Sequence, residues 1–337
     1  MPTDFTIIVV THNGLNDLRN CVDSLSSQLP SNWEILVVDN ASSDGTKEYL
    51  DSASSHSLRK ILLDTNTGFA AGNNTGATHA KGQWLFLLNN DTTCASGTLR
   101  ALEEGARTAR QFRIFACRMI RAADGKVDNL GIRFTRLLRG TQIGAGAERG
   151  WTDVHEVFGA SGGAMLVHRS VIDDIGLFDP NFFAYQEDVE FAVRARLAGY
   201  RCLHLPDAVV YHKGGGTSSS NPSFFRYFNQ RNMELVLRNI PKRLRWKYGI
   251  GHLAYVAGQI LKWTLKGDGL TVLKAKIDAL GVARKSPARN LPIRVRSKDF
   301  EKHMARDFFP LAPELARPLG VMTQDAPVYK HDRIPTN

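Results

Sequence analysis

Short apolar, β-branched runs alternate with stretches of helical period through the first hundred residues. "FTIIVV" (5 to 10) is followed by a helical pattern from Leu15 to Leu29, then "WEILVVD" (33 to 39), a second helical pattern from Thr46 to Ser54, and "LRKILL" (58 to 63). A further apolar run, Trp84 to Leu88, ends in "NNDTT". This alternation predicts an α/β fold with a mostly parallel central sheet flanked by helices.

In such sheets, ligands bind beyond the carboxyl ends of the strands. Those positions carry "THNG" (11 to 14), "DNASSDGT" (39 to 46), "TNTGFAAGNNTG" (65 to 76) and "NNDTT" (89 to 93). Taken singly, each reads as turn or cap chemistry, and Asp44 suits a cap for the helix beginning near Thr46. Taken together, they gather carboxylates and amides at one end of successive strands, where a nucleotide needs donors and acceptors. Asp39 is suited to accept from a base or ribose, and the Asn and Gly residues of 66 to 76 offer backbone approach and amide donors. The donor-binding set expected from these strand ends is Thr11, Asn13, Asp39, Asn40, Asp44, Asn66, Gly72, Asn73, Asn89 and Asn90. No GxGxxG follows the first strand and no GxxxxGK[ST] occurs, so neither a dinucleotide fingerprint nor a P-loop supplies the site.

Composition adds little to this picture, but the placement of charge adds more. The 337 residues are 43% hydrophobic, enough to bury a sizeable core. The four cysteines have no CxxC pair or nearby His, which argues against a zinc site or a disulfide framework and favours a reducing, cytoplasmic setting. "FTIIVV" is too short and too acidic in its flank for a signal peptide. The net charge of +10 is concentrated: between Arg226 and Arg306 there are 19 Lys and Arg against 5 Asp and Glu.

The blocks "TIIVVTHNGLNDLRNCVDSLSSQ", "EILVVDNASSDGT", "NTGFAAGNNTGATHAKGQWLFLLNNDT", "GGAMLVHRSVIDDIGLFDPNFFAYQEDVEFAVRARLAGY" and "YHKGGGTS" resemble, in order, the motifs of family 2 glycosyltransferases, and most closely the bacterial rhamnosyltransferase branch. The resemblance implies a GT-A nucleotide-diphospho-sugar transferase fold over residues 1–240. Its donor half runs to about residue 117 and its acceptor half over 118–240, with a basic, partly amphipathic helical extension over 241–337. It also implies an inverting glycosyltransferase using Mg²⁺ or Mn²⁺ and a dTDP- or UDP-linked sugar, with rhamnose from dTDP-rhamnose preferred to a UDP-hexose or galactofuranose. The acceptor implied is a polyprenyl-diphosphate-linked or polysaccharide hydroxyl in cell-surface glycan assembly.

By this resemblance, Asn89-Asn90-Asp91 stands where the family has its DxD-type motif, with Asp91 as metal ligand. The amides bring no charge, so metal should bind together with the donor. Asp188 matches the catalytic base and Glu187 its support, although both also suit the N-terminus of a helix in which Glu190 and Arg194 pair at i,i+4. His212 matches a second metal ligand, and Gly214 to Gly216 a loop able to close on the diphosphate. Arg226, Arg231 and Asn232 are candidates to meet an acceptor or diphosphate.

The stretch 248–265 is interrupted by His252, Gln259 and Lys262 and falls short of the roughly 20 apolar residues of a spanning helix. An amphipathic basic helix on an anionic membrane at the inner face of the cell membrane is expected, the alternative being a helix packed on the core. The basic region has no zinc-finger spacing or RNA-binding aromatic signature, so no nucleic acid partner is expected. "THNG" lacks the Arg/Lys loop of a sugar nucleotidyltransferase. A non-catalytic nucleotide-sugar-binding protein is the remaining alternative.

Overall fold

The computed structural model describes residues 3–53, 57–148, 153, 155–214, 221–285 and 291–305. The first half runs β1 (Phe5–Thr11), α1 (Leu15–Ser26), β2 (Trp33–Asp39), α2 (Thr46–Ala53), β3 (Leu58–Leu62), α3 (Gly68–His79), β4 (Trp84–Asn89), β5 (Thr92–Cys94) and α4 (Thr98–Thr108). Next come β6 (Ile114–Arg121), β7 (Val127–Asn129), β8 (Ile132–Phe134), β9 (Gly140–Gln142), β10 (His155–Val157) and β11 (Ala164–His168). They are followed by α5 (Arg169–Ile175), α6 (Glu187–Leu197) and β12 (Cys202–His212). The last part is helical: α7 (Pro222–Val236), α8 (Lys242–Leu265), α9 (Gly269–Lys285) and α10 (Ser297–Lys302).

The main sheet has the order β10-β12-β6-β11-β4-β1-β2-β3. β1 pairs in parallel with β2 and β4, and β2 with β3, as the sequence rhythm predicts. Beyond β4 the sheet is mixed, because β11 runs antiparallel to both β4 and β6. Parallel neighbours need a long crossover, usually a helix. Among the described residues no helix lies between β6 and β11, and the chain returns in the opposite direction.

Successive residues of β1 face opposite sides of the sheet and feed two cores. Ile7 and Val9 pack with Leu18 and Leu25 of α1 and Leu99 and Leu102 of α4. Ile8 and Val10 pack with Ala70 and Ala77 of α3, and with Phe178 and Phe191. α3 approaches so closely that a Cβ on Gly72 would stand 2.7 Å from Val10 Cγ1. A third core joins Phe134, Phe158 and Val193 to Val236, Leu244 and Phe300, so residues on both sides of position 240 share one apolar cluster. All four cysteines are free and buried. Among the described residues, no helix is long and apolar enough to cross a membrane.

Candidate active site

A cleft of about 1420 Å³ opens where β1 and β4 end, at the switch from parallel to antiparallel pairing. Its strand-end wall brings together Thr11, Asn13, Asn40, Asn66, Asn89 and Asn90. Local hydrogen bonds fix these side chains. Asn13, at φ 51°, accepts from the Ser43 amide at 2.7 Å, tying the loop after β1 to the loop after β2. The Asn40 carboxamide accepts from the Thr67 amide at 2.9 Å and donates to the Gly68 carbonyl at 3.1 Å. Asn90 donates to Thr11 Oγ1 at 3.0 Å, and a Cβ on Gly14 would come within 2.4 Å of that carboxamide, so a larger residue there would push the Asn90 side chain aside. Asn89 Oδ1 is buried and has no partner among the described residues.

Several expected donor residues do not line this cleft, and each has a structural occupation. Asp39 is buried and accepts from the Ser42 amide at 3.2 Å. Asp44 accepts from the Thr46 hydroxyl at 2.6 Å and the Leu15 amide at 2.9 Å, the bonds of a helix-capping residue. Gly72 serves the contact of α3 with β1, and Asn73 is turned inward to donate to the Phe69 carbonyl at 2.9 Å.

Asp91 and His212 meet in the cleft, with His212 Nε2 3.3 Å from Asp91 Oδ2. The other ring nitrogen, Nδ1, lies 2.9 Å from Asp128 Oδ2 on β7. Burial opposes a charged imidazole, but the hydrogen bonds to Asp128 and Asp91 prevail and lift His212 to about 10. The 3.3 Å contact is that of an imidazolium with a carboxylate, and Nε2 could meet a divalent ion beside Asp91 only by giving up its proton, which the charge of the ion would favour. Among the described residues, no group of three or more His, Cys, Asp and Glu is arranged to hold a metal, so this pair offers an incomplete set. Asp128 was missed by sequence reasoning, because it sits in a short strand with no motif around it.

At the start of α6, Asp188 accepts from the Gly162 amide at 3.0 Å and the Val189 amide at 2.8 Å. Burial raises its pKa, against which those amides pull downward. Glu187 beside it is raised well above the usual carboxylate range, by burial first and then by the charge of Asp188, and its Oε2 has no partner among the described residues. The helix also carries the expected pair, with the guanidinium of Arg194 held by Glu190 at 2.7 and 2.8 Å, both fully buried.

The loop before α6 also lines the cleft, and Phe183, Tyr185 and Gln186 adopt φ of 61°, 69° and 67°. Asn232 on α7 braces it, donating to the carbonyls of Phe182, Ala184 and Tyr185 at 2.7 to 2.8 Å. Arg231 is not available to a phosphate: it is buried, donates to the carbonyls of Asn181 and Phe182, and lies over the Phe228 ring. Arg226 does line the cleft, where it pairs with Asp268 and stacks on Trp263 at 3.9 Å. Gly215 and Gly216 lie outside the described residues.

Residues 6–176 match the model of glycosyl transferase family 2. The chain belongs to this family. The family 2 transferase is 24% identical over 315 residues to the N-acetylglucosaminyl-diphospho-decaprenol L-rhamnosyltransferase of Mycobacterium tuberculosis, covering 85% of this chain and 96% of the relative. Its fold is shared with GalNAc-T7 bound to UDP, GalNAc and Mn²⁺ (TM-score 0.54, 19% identity, 73% of this chain and 54% of the other). It is also shared with a mannosyltransferase of Pyrobaculum calidifontis bound to GDP-Man and Mn²⁺ (TM-score 0.51, 19% identity, 85% and 76%). The family 2 transferase is thus a glycosyltransferase with the GT-A arrangement of a central sheet between helices. The family match ends at residue 176, before α6.

Proposed function

We propose that the protein transfers a sugar from a nucleoside-diphosphate donor to a hydroxyl of a lipid-linked acceptor, with inversion at the anomeric carbon. The observation that carries this reading is the opening of Asp188 and the Asp91–His212 pair into one cleft. In the displacement, the bond from the anomeric carbon to the diphosphate oxygen breaks as the acceptor oxygen bonds to that carbon. The acceptor proton passes to Asp188. Burial makes Asp188 a stronger base than an ordinary carboxylate, and the Gly162 and Val189 amides fix its oxygens. Glu187 is raised well above the usual carboxylate range by burial and then by the charge of Asp188, so it is the weaker acid beside the base.

Asp91 and His212 are the residues that would hold Mg²⁺ or Mn²⁺, with Asp128 orienting the imidazole. When bound, the ion supplies positive charge to the departing diphosphate. The unpartnered Asn89 Oδ1 and the fixed amides of Asn13 and Asn90 give the strand-end wall its polar contacts for the donor. Likeness to the mycobacterial relative supports rhamnose as the sugar transferred and a polyprenyl-diphosphate-linked sugar as acceptor, while dTDP as its carrier and cell-envelope glycan assembly at the inner membrane face rest on the motif resemblance. A UDP-hexose, galactofuranose included, is the second reading, supported by the UDP-bound neighbour of the same fold.

Donor turnover tests this directly. Purified protein with Mg²⁺ or Mn²⁺, a panel of dTDP- and UDP-sugars and a lipid-linked acceptor extract should release nucleoside diphosphate from one donor, and Asp188→Asn should abolish release. Release undiminished by that substitution removes the base. Nucleotide binding without turnover of any donor returns the protein to a binding role.

A further inference from the structure

The helices α8 and α9 carry large apolar side chains outward into solvent as well as inward. Toward the protein, α8 presents Leu244 and His252 to the interior and Tyr255, Gln259 and Trp263 to the cleft. Outward it presents Trp246, Ile250, Leu253, Leu261 and Leu265, at intervals of four, three, eight and four residues that keep them on one side of the helix, with Trp246 85%, Ile250 84% and Leu265 80% exposed. α9 repeats the plan. Val272, Ala275 and Ala279 are buried, while Leu270 at 84% exposure, Leu273, Ile277 and Leu280 face out. A surface helix normally turns its apolar stripe to the core, and adjoining exposed stripes mark an interaction surface.

Charge selects the partner. Residues 242 to 285 carry ten Lys and Arg, two Asp and no Glu. Both aspartates are engaged from within the protein, Asp268 by Arg226 and Asp278 by the Tyr227 hydroxyl at 2.6 Å. The exposed Lys266 and Lys274 form no ion pair among the described residues. A second copy docking on the same face would bring like charges together, whereas an anionic headgroup layer complements both the cations and the apolar stripes. Since no described helix can cross a bilayer, the pair must lie in its plane.

We infer that α8 and α9 together form an in-plane docking surface for an anionic lipid bilayer, and that α8 serves at once as membrane anchor and cleft wall. Bilayer contact then sets the wall made by Tyr255, Gln259 and Trp263 at headgroup level, where a lipid-borne acceptor presents its diphosphate. That last step rests on the proposed function, while the docking surface does not.

Flotation of the full-length protein with phosphatidylcholine vesicles, with and without phosphatidylglycerol, tests the inference. Binding is expected to phosphatidylglycerol-containing vesicles and to fall with salt. The pairs Ile250→Asp with Leu261→Asp and Leu273→Asp with Ile277→Asp, all on exposed positions, should each weaken it by about tenfold or more. Lys266→Gln with Lys274→Gln should weaken it on anionic vesicles alone. No vesicle binding by the wild type, or equal binding to neutral vesicles, overturns the assignment. So does a concentration-dependent dimer that the Ile250→Asp pair dissociates, which would make a second copy the occupant. Vesicle binding without turnover of any donor would leave the docking surface standing and remove the proposed function.

Discussion

The two walls of the cleft are built on opposite plans. The strand-end wall is stitched by short hydrogen bonds between neighbouring loops: Asn13 to Ser43, Asn40 to Thr67, and Asn90 to Thr11. The facing wall, residues 183 to 186, contains three non-glycine residues at positive φ and is held by Asn232 reaching in from α7. Such conformations each cost about 1–3 kcal/mol and persist only where the surroundings impose them. The first wall joins the ends of adjacent strands through several side chains, whereas the second is a strained loop held chiefly by one side chain from α7. The family match covers the first wall and stops before the second. A shared donor chemistry with divergent acceptors would produce this division.

Five substitutions sharpen the contrast. Asp188→Asn, on the imposed wall, should lower kcat by about 10²–10⁴-fold while calorimetry finds donor nucleotide binding unchanged. Loss of nucleotide binding in that variant would mean that Asp188 serves the donor instead. Asn232→Ala should lower unfolding stability by roughly 3 kcal/mol in urea, because three carbonyls lose their donor and the strained loop its brace. Asn40→Ala on the strand-end wall should cost only about 1–2 kcal/mol, and equal losses would erase the distinction between the walls.

Asp128→Asn should weaken Mn²⁺ binding in the presence of nucleoside diphosphate by about 10–100-fold, read by electron paramagnetic resonance. Unchanged affinity would leave Asp128 without a part in orienting His212. Glu187→Gln carries the smallest effect. Because the folded pKa of Glu187 lies above the unfolded value, its protonated form contributes stability that is fully present below the usual carboxylate range and is lost as pH rises from there through the raised folded pKa. The Tm of the wild type should therefore fall more steeply than that of the variant between acid and mildly alkaline pH. Parallel curves would place the raised pKa elsewhere.

What was legible in the sequence divides along the same line. β1, β2, β3 and β4 and the polar turns after them are contiguous signals, so their placement at one end of the sheet could be read directly. Asp44 and Asn73 fall outside the cleft lining, a difference the sequence does not reveal, because a polar residue near a strand end looks the same whether it faces a ligand or caps a helix. Asp128 was invisible, being 84 residues from the imidazole it holds and set in a three-residue strand. Arg231 looked exposed because nothing in "FNQRNM" reveals that α7 turns it onto the carbonyls of Asn181 and Phe182. The apolar stripe of α8 was readable as a period, but which way it faces depends on what the other side of the helix covers.

The buried cysteines have a practical consequence. Cys21, Cys94, Cys117 and Cys202 are shut away from solvent, and burial pushes the Cys21 and Cys202 thiols up to about 12. The folded chain therefore offers electrophiles almost no thiolate. A single cysteine introduced at an exposed position such as Leu265 would react with a fluorescent maleimide against a silent background, so the native sequence is already suited to reporting one label at a time.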